Sequence, residues 1–161
     1  MSRRLTDGEV GLARSVFGDG IDYARVRIAT RGWGRPAITF GSLITFPPRP
    51  PTPDDFSRQP LATRAWFIHE MTHVLQFQSG WLRTVWSWFV TLLRGGYGAG
   101  SPGYRYAAPF DAWGAYNLEQ QASMVEHAYL LREQGACAAA PEGVRLADYE
   151  RCVPFLSSRR T

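Results

Sequence analysis

A chain of 161 residues, 45% hydrophobic and 20% charged, has the make-up of an ordinary globular domain long enough to bury a core. Its formal net charge of +4 is matched by Arg3, Arg4, Arg159 and Arg160 alone, and every basic residue is an arginine. The arginines are scattered and not clustered on one element, which argues against a nucleic-acid-binding face. A single domain over residues 1–161 is expected, with its core over about 5–135 and a C-terminal loop tail over 136–161.

The first residues carry no apolar core of a signal peptide and no small-residue cleavage site. No apolar run approaches the roughly 18 residues that cross a bilayer. The expectation is a protein that is cytoplasmic as synthesised, has no transmembrane segment, and leaves the cell only by a route that reads no cleaved signal. Thr6-Asp7-Gly8-Glu9 has the form of a capping box and opens a helix through about Phe17, closed by Gly18. Tyr23 to Ile28 alternates polar and apolar residues, the pattern of a strand with one wet face. Ala37–Phe40 and Leu43–Phe46 are rich in β-formers around Gly41-Ser42, giving either a tight hairpin or one strand with a bulge. Leu43–Phe46 is expected at a free sheet edge, because the proline-rich stretch 47–53 that follows cannot supply a neighbouring strand. That stretch also has PxxP spacing, but it reads best as a stiff connector.

A helix is expected from near Pro60 to Ser79, capped by Gly80. It contains His69-Glu70-Met71-Thr72-His73, the pattern His-Glu-x-x-His. Histidines four apart on a helix lie one above the other, so both imidazoles can reach one metal ion, most commonly zinc. Glu70, one step along, is placed to act as a general base. The alternative is a helix whose histidines are merely half-buried and hydrogen-bonded. Trp81 to Leu93 carries apolar residues at helical spacing, and core packing is favoured over a membrane-surface or partner-binding role. The glycine-rich stretch 95–106 reads as a loop and a candidate lid.

A long helix is expected from about Asp111 to Gln134, ended by Gly135. The metal needs a third ligand. A metzincin would have Gly and His where this chain has Gln76 and Ser79, so the remaining common solution is a carboxylate from a downstream helix, with the fourth position open. Glu119 is the first choice, because Ala122 leaves room for the motif helix to approach, and Glu126 is the second. His127 lies close by on the same helix. The tail holds at most one short helix. Cys137 and Cys152 form no CxxC pair and read as reduced thiols, unless the protein works outside the cell.

His69-Glu70-Met71-Thr72-His73-Val74-x-Gln76, followed by Asn117-x-Glu119-Gln120-Gln121-Ala122, resembles the gluzincin metallopeptidases. More narrowly it resembles small bacterial Vgr-related metallopeptidases and the metallopeptidase-like domain attached to cargo of contractile injection systems. The resemblance covers roughly residues 12–134. It is strong at the two motifs and looser at Phe17-Gly18, Tyr23–Val26, Ile38–Gly41 and Ile44-x-Phe46. It implies His69, His73 and Glu119 as zinc ligands and Glu70 as the acid/base. Thermolysin-like enzymes have an aspartate four residues after the ligand glutamate, where this chain has Ser123, so that supporting role is unassigned.

The expected fold is a small α+β zincin-like domain with a short sheet, a metal-motif helix and a second helix carrying the third ligand. The expected activity is zinc-dependent hydrolysis of a peptide or protein amide bond, linked to type VI or contractile-injection secretion. The partners would be a peptide substrate, a secretion-system component or a cognate inhibitor, with no nucleic acid. Tyr97, Tyr104 and Tyr106 are candidates to stabilise the oxyanion. Two other readings stand beside this one: a non-catalytic zinc module of a secretion apparatus, and an antibacterial effector that cleaves cell-wall peptides.

Overall fold

The computed structural model describes residues 2–32, 37–82, 84–85 and 104–156. It is a small α+β protein and divides into two compact units, 1–81 and 82–161.

In the first unit, β1 (Ser2–Arg4), β2 (Arg27–Thr30), β3 (Ile38–Phe40) and β4 (Leu43–Phe46) form one sheet in the order β1-β2-β4-β3. The β1/β2 and β3/β4 pairs are antiparallel, and β2/β4 is parallel. Helix α1 (Asp7–Phe17) starts on the expected capping box: Thr6 Oγ1 accepts from Glu9 N at 3.1 Å, and Glu9 Oε2 accepts from Thr6 N at 2.9 Å. The same Glu9 is fully buried. Its two oxygens also take a fork of hydrogen bonds from Arg3 at 2.7 and 2.8 Å and one from Phe56 N at 2.9 Å. One carboxylate thus joins β1, α1 and the 3-10 turn Phe56–Arg58. The joint is tight: a Cβ on Gly8 would lie 2.3 Å from Ser57 Oγ, so a larger residue there would force the Ser57 side chain to shift.

Helix α2 (Leu61–Ser79) has the expected limits, with Pro60 and Gly80 at its caps. Its buried residues, among them Ala65, Phe67, Ile68, Met71, Val74 and Phe77, leave no single apolar stripe, as in a helix enclosed by its surroundings. Phe46, Phe56 and Phe67 stack in sequence at 4.5 and 5.2 Å between ring centroids, connecting sheet, turn and helix.

Two strand expectations change, and a third, left with two arrangements, is decided. The stretch 23–28 begins as a 3-10 turn, Tyr23–Arg25, and pairing starts only at Arg27. Tyr23 is drawn inward, where its hydroxyl donates to Gly18 O at 2.6 Å. Of the two arrangements open for 37–46, the chain adopts the hairpin, turning at Gly41 with φ of +63°. Leu43–Phe46 is not an edge. It pairs with β3 on one side and β2 on the other, and the backbone bonds Arg27 N to Ser42 O and Arg31 N to Phe46 O, both 2.8 Å, extend the β2 ladder. The proline connector does fail to supply a neighbour, but β2 reaches β4 from earlier in the chain. Among the described residues, β1 and β3 are the strands with a single neighbour.

In the second unit, α3 (Leu118–Gln134) begins seven residues later than expected. Asn117 Oδ1 accepts from Gln120 N at 2.9 Å and Gln120 Oε1 from Asn117 N at 3.0 Å. This capping box closes the helix start, and only a 3-10 turn, Trp113–Ala115, precedes it. Gly135 ends the helix with φ of +74°, the left-handed conformation glycine favours. Helix α4 (Leu146–Cys152) is the one short helix of the tail among the described residues. It packs Tyr149 against Met124 and Ala128 of α3. Of the apolar helix expected over 81–93, Trp81, Leu82, Thr84 and Val85 are described and helical; the rest, and the glycine-rich residues 95–103, lie outside the described residues. No helix among the described residues is long and apolar enough to cross a membrane.

Candidate metal centre

The first unit contributes His69, Glu70 and His73 from the middle of α2. The histidine rings meet edge to face with centroids 5.1 Å apart, as four-residue helical spacing requires. His69 is 8% exposed and Glu70 5%. His73 Nδ1 donates to Gln76 Oε1 at 2.8 Å. A proton held on Nδ1 leaves Nε2 as the nitrogen whose lone pair a metal would take. The partner of His73 Nδ1 is thus an amide one turn along the same helix. The i, i+3 spacing of His73 and Gln76 was legible in the sequence as a neighbouring pair.

The Glu70 side chain has one hydrogen-bond partner among the described residues: Thr39 Oγ1, in β3, donates to its Oε2 at 2.7 Å, and Thr39 is itself buried. Sequence reasoning missed Thr39. Its one signal was a hydroxyl-bearing residue between apolar neighbours in a predicted strand.

The second unit contributes Glu119, 6% exposed, in the first turn of α3. The capping box holds this turn, and so do Gln120 Nε2 donating to Arg105 O at 2.6 Å and Gln121 Nε2 donating to Trp113 O at 3.0 Å. A carboxylate near a helix N-terminus is favoured by the helix dipole. Glu126 is two turns further along and only half-buried. Tyr106 has its hydroxyl in the unit's interior, 2.5 Å from His127 Nδ1 and 2.7 Å from Tyr149 Oη. Burial, then the hydrogen bond with Tyr149, drive the Tyr106 phenol well above the ordinary tyrosine value. Burial pushes Tyr149 up to about 12, against the opposing hydrogen bond from Tyr106. Both therefore stay protonated, and Tyr106 is committed to this network and not free to meet an oxyanion. Tyr104 is half-buried, and Tyr97 lies outside the described residues.

The donor types suit zinc: two imidazoles, His69 buried and His73 half-buried, and the buried carboxylate of Glu119 are groups that an open zinc site uses. If Gln76 orients His73, Gln76→Ala should weaken zinc binding by about 10–100-fold without unfolding α2, measured by competition with a chelating dye. Unchanged affinity would remove Gln76 from the site.

No family model matches the chain. It is 33% identical over 149 residues to the type VI secretion system spike protein VgrG2b of Pseudomonas aeruginosa, a match covering 86% of the chain. The solved effector domain of Pseudomonas aeruginosa VgrG2b superposes with a TM-score of 0.70 at 27% identity, over 96% of this chain and 83% of that one. The chain is a homologue of the VgrG2b effector domain. It spans 14% of the length of the spike protein, so the likeness concerns this one part.

Proposed function

We propose that this chain is a zinc-dependent peptidase that acts as a type VI secretion effector, delivered by a route that reads no cleaved signal. The observation that carries the reading is on α2: two histidines on one face, His69 buried and His73 half-buried and oriented by Gln76, with the Glu70 carboxylate between them in sequence and held by Thr39. His69 and His73 are the first two ligands, and Glu119 is the third. Zinc bound there supplies a Lewis acid that polarises the scissile carbonyl and activates water. Glu70 takes the proton at Oε1 and passes it to the leaving amine.

The outer edge of β3 offers the backbone groups with which an extended peptide can pair by strand addition. Thr39 of that strand touches Glu70, so a peptide bound there would run past the catalytic carboxylate. The free edge invoked here is that of β3, since β4, expected at an edge, is paired on both sides. Homology to an effector domain supports delivery to a competitor, and cell-wall peptides are one substrate class such an effector would meet.

The test is hydrolysis by the zinc-loaded protein of unfolded protein and, separately, of isolated cell-wall peptides. Cleavage of either supports the peptidase reading, and the choice between them identifies the target. Zinc binding with cleavage of neither favours a non-catalytic module.

A further inference from the structure

We infer that Thr39 is a positioning residue for Glu70: its hydroxyl anchors one carboxylate oxygen from strand β3 and leaves the other to take the proton. The inference rests on the peptidase reading above and deepens it.

The geometry has three parts. The backbone of Thr39 is fixed, because β3 pairs with β4 and Thr39 stands opposite Ile44. Its side chain is stiff about χ1, as a β-branched residue is, and points inward while its neighbours Ile38 and Phe40 are exposed. Its hydroxyl lies 2.7 Å from Glu70 Oε2. An ionised carboxylate only accepts, so Thr39 donates.

Valine would fill the same inward slot with almost the same volume. What threonine adds is a charge-assisted hydrogen bond to a carboxylate that has no other partner among the described residues. Glutamate has several rotatable bonds, and α2 fixes only its backbone end. Without Thr39 the carboxylate would sample orientations that do not face the substrate. With Oε2 held, Oε1 is presented in one direction, the pre-organisation that proton transfer requires.

The experiment compares Thr39→Val, Thr39→Ser and Thr39→Ala in the full chain, each with its zinc content, kcat, KM and crystal structure. In Thr39→Val, kcat should fall by about 10–100-fold, the worth of one hydrogen bond to a charged group, with KM and zinc stoichiometry unchanged. The Glu70 carboxylate should swing away from β3 in that crystal structure. Thr39→Ser restores the donor and should recover most of the lost kcat with Glu70 back in place. Thr39→Ala serves in place of the valine variant if valine prevents folding. Wild-type kcat in Thr39→Val, an unmoved Glu70, or equal loss in the valine and serine variants would each overturn the inference. If the wild type cleaves neither substrate class, the peptidase reading fails by itself. The position of Glu70 in the valine and serine structures then still decides whether Thr39 positions it.

Discussion

Replacing Glu70 with glutamine should leave the fold and one bound zinc per chain intact while peptide hydrolysis falls by about 10²–10⁴-fold, the usual contribution of a general base. Glutamine keeps the length and shape of the side chain, and its carbonyl oxygen can still accept the hydroxyl of Thr39, which reaches the wild-type carboxylate at 2.7 Å. What it loses is an oxygen basic enough to take a proton. The ligand histidines on either side are unchanged, so metal content should not move. Steady-state kinetics beside metal analysis of the same preparation checks this. A zinc-loaded Glu70→Gln protein with full activity would mean that another group is the base.

The second large effect concerns stability and lies away from the metal. Glu9→Ala should destabilise the first unit by about 2–6 kcal/mol, from two backbone donors left unpaired at about 1–3 kcal/mol each. The carboxylate is fully buried and accepts from Arg3, Thr6 N and Phe56 N. Its removal leaves donors in β1, before α1 and in the Phe56 turn without their acceptor at once. Arg3 is partly exposed and can turn to water, so the loss comes chiefly from the backbone donors and the cavity. Against a total stability of roughly 5–15 kcal/mol, this is enough to lower the denaturation midpoint severely. A loss below about 1 kcal/mol in urea titration would show that Glu9 is an ordinary surface cap.

The helices were legible because their signals are local. Thr6 with Glu9, Pro60 with Gly80, and Gly135 mark ends by chemistry contained within a few residues. The start of α3 was legible too, in Asn117 and Gln120, but the apolar pattern upstream drew the expected boundary to Asp111. The sheet was less legible because its order is set by distant partners. Ser2-Arg3-Arg4 has no strand pattern of its own; it becomes β1 beside β2, with Arg3 reaching Glu9. Leu43–Phe46 looked like an edge since the proline-rich stretch after it could supply no second neighbour, yet β2 does.

The candidate site divides the same way. His69, Glu70 and His73 were marked by spacing on one helix; Gln76 was not read as a partner of His73, although its position one turn on offered the signal. Thr39 was hidden, since its contact with Glu70 crosses from strand to helix. Tyr106 looked available from its glycine-rich surroundings, yet its hydroxyl turns inward to His127 and Tyr149.

The central claim is a metal held by His69, His73 and Glu119, and metal analysis of the purified chain tests it most directly. The wild type should carry one zinc per chain, which the double change His69→Ala/His73→Ala should abolish and Glu119→Ala should weaken. Stoichiometric zinc surviving in the double histidine variant would contradict the claim.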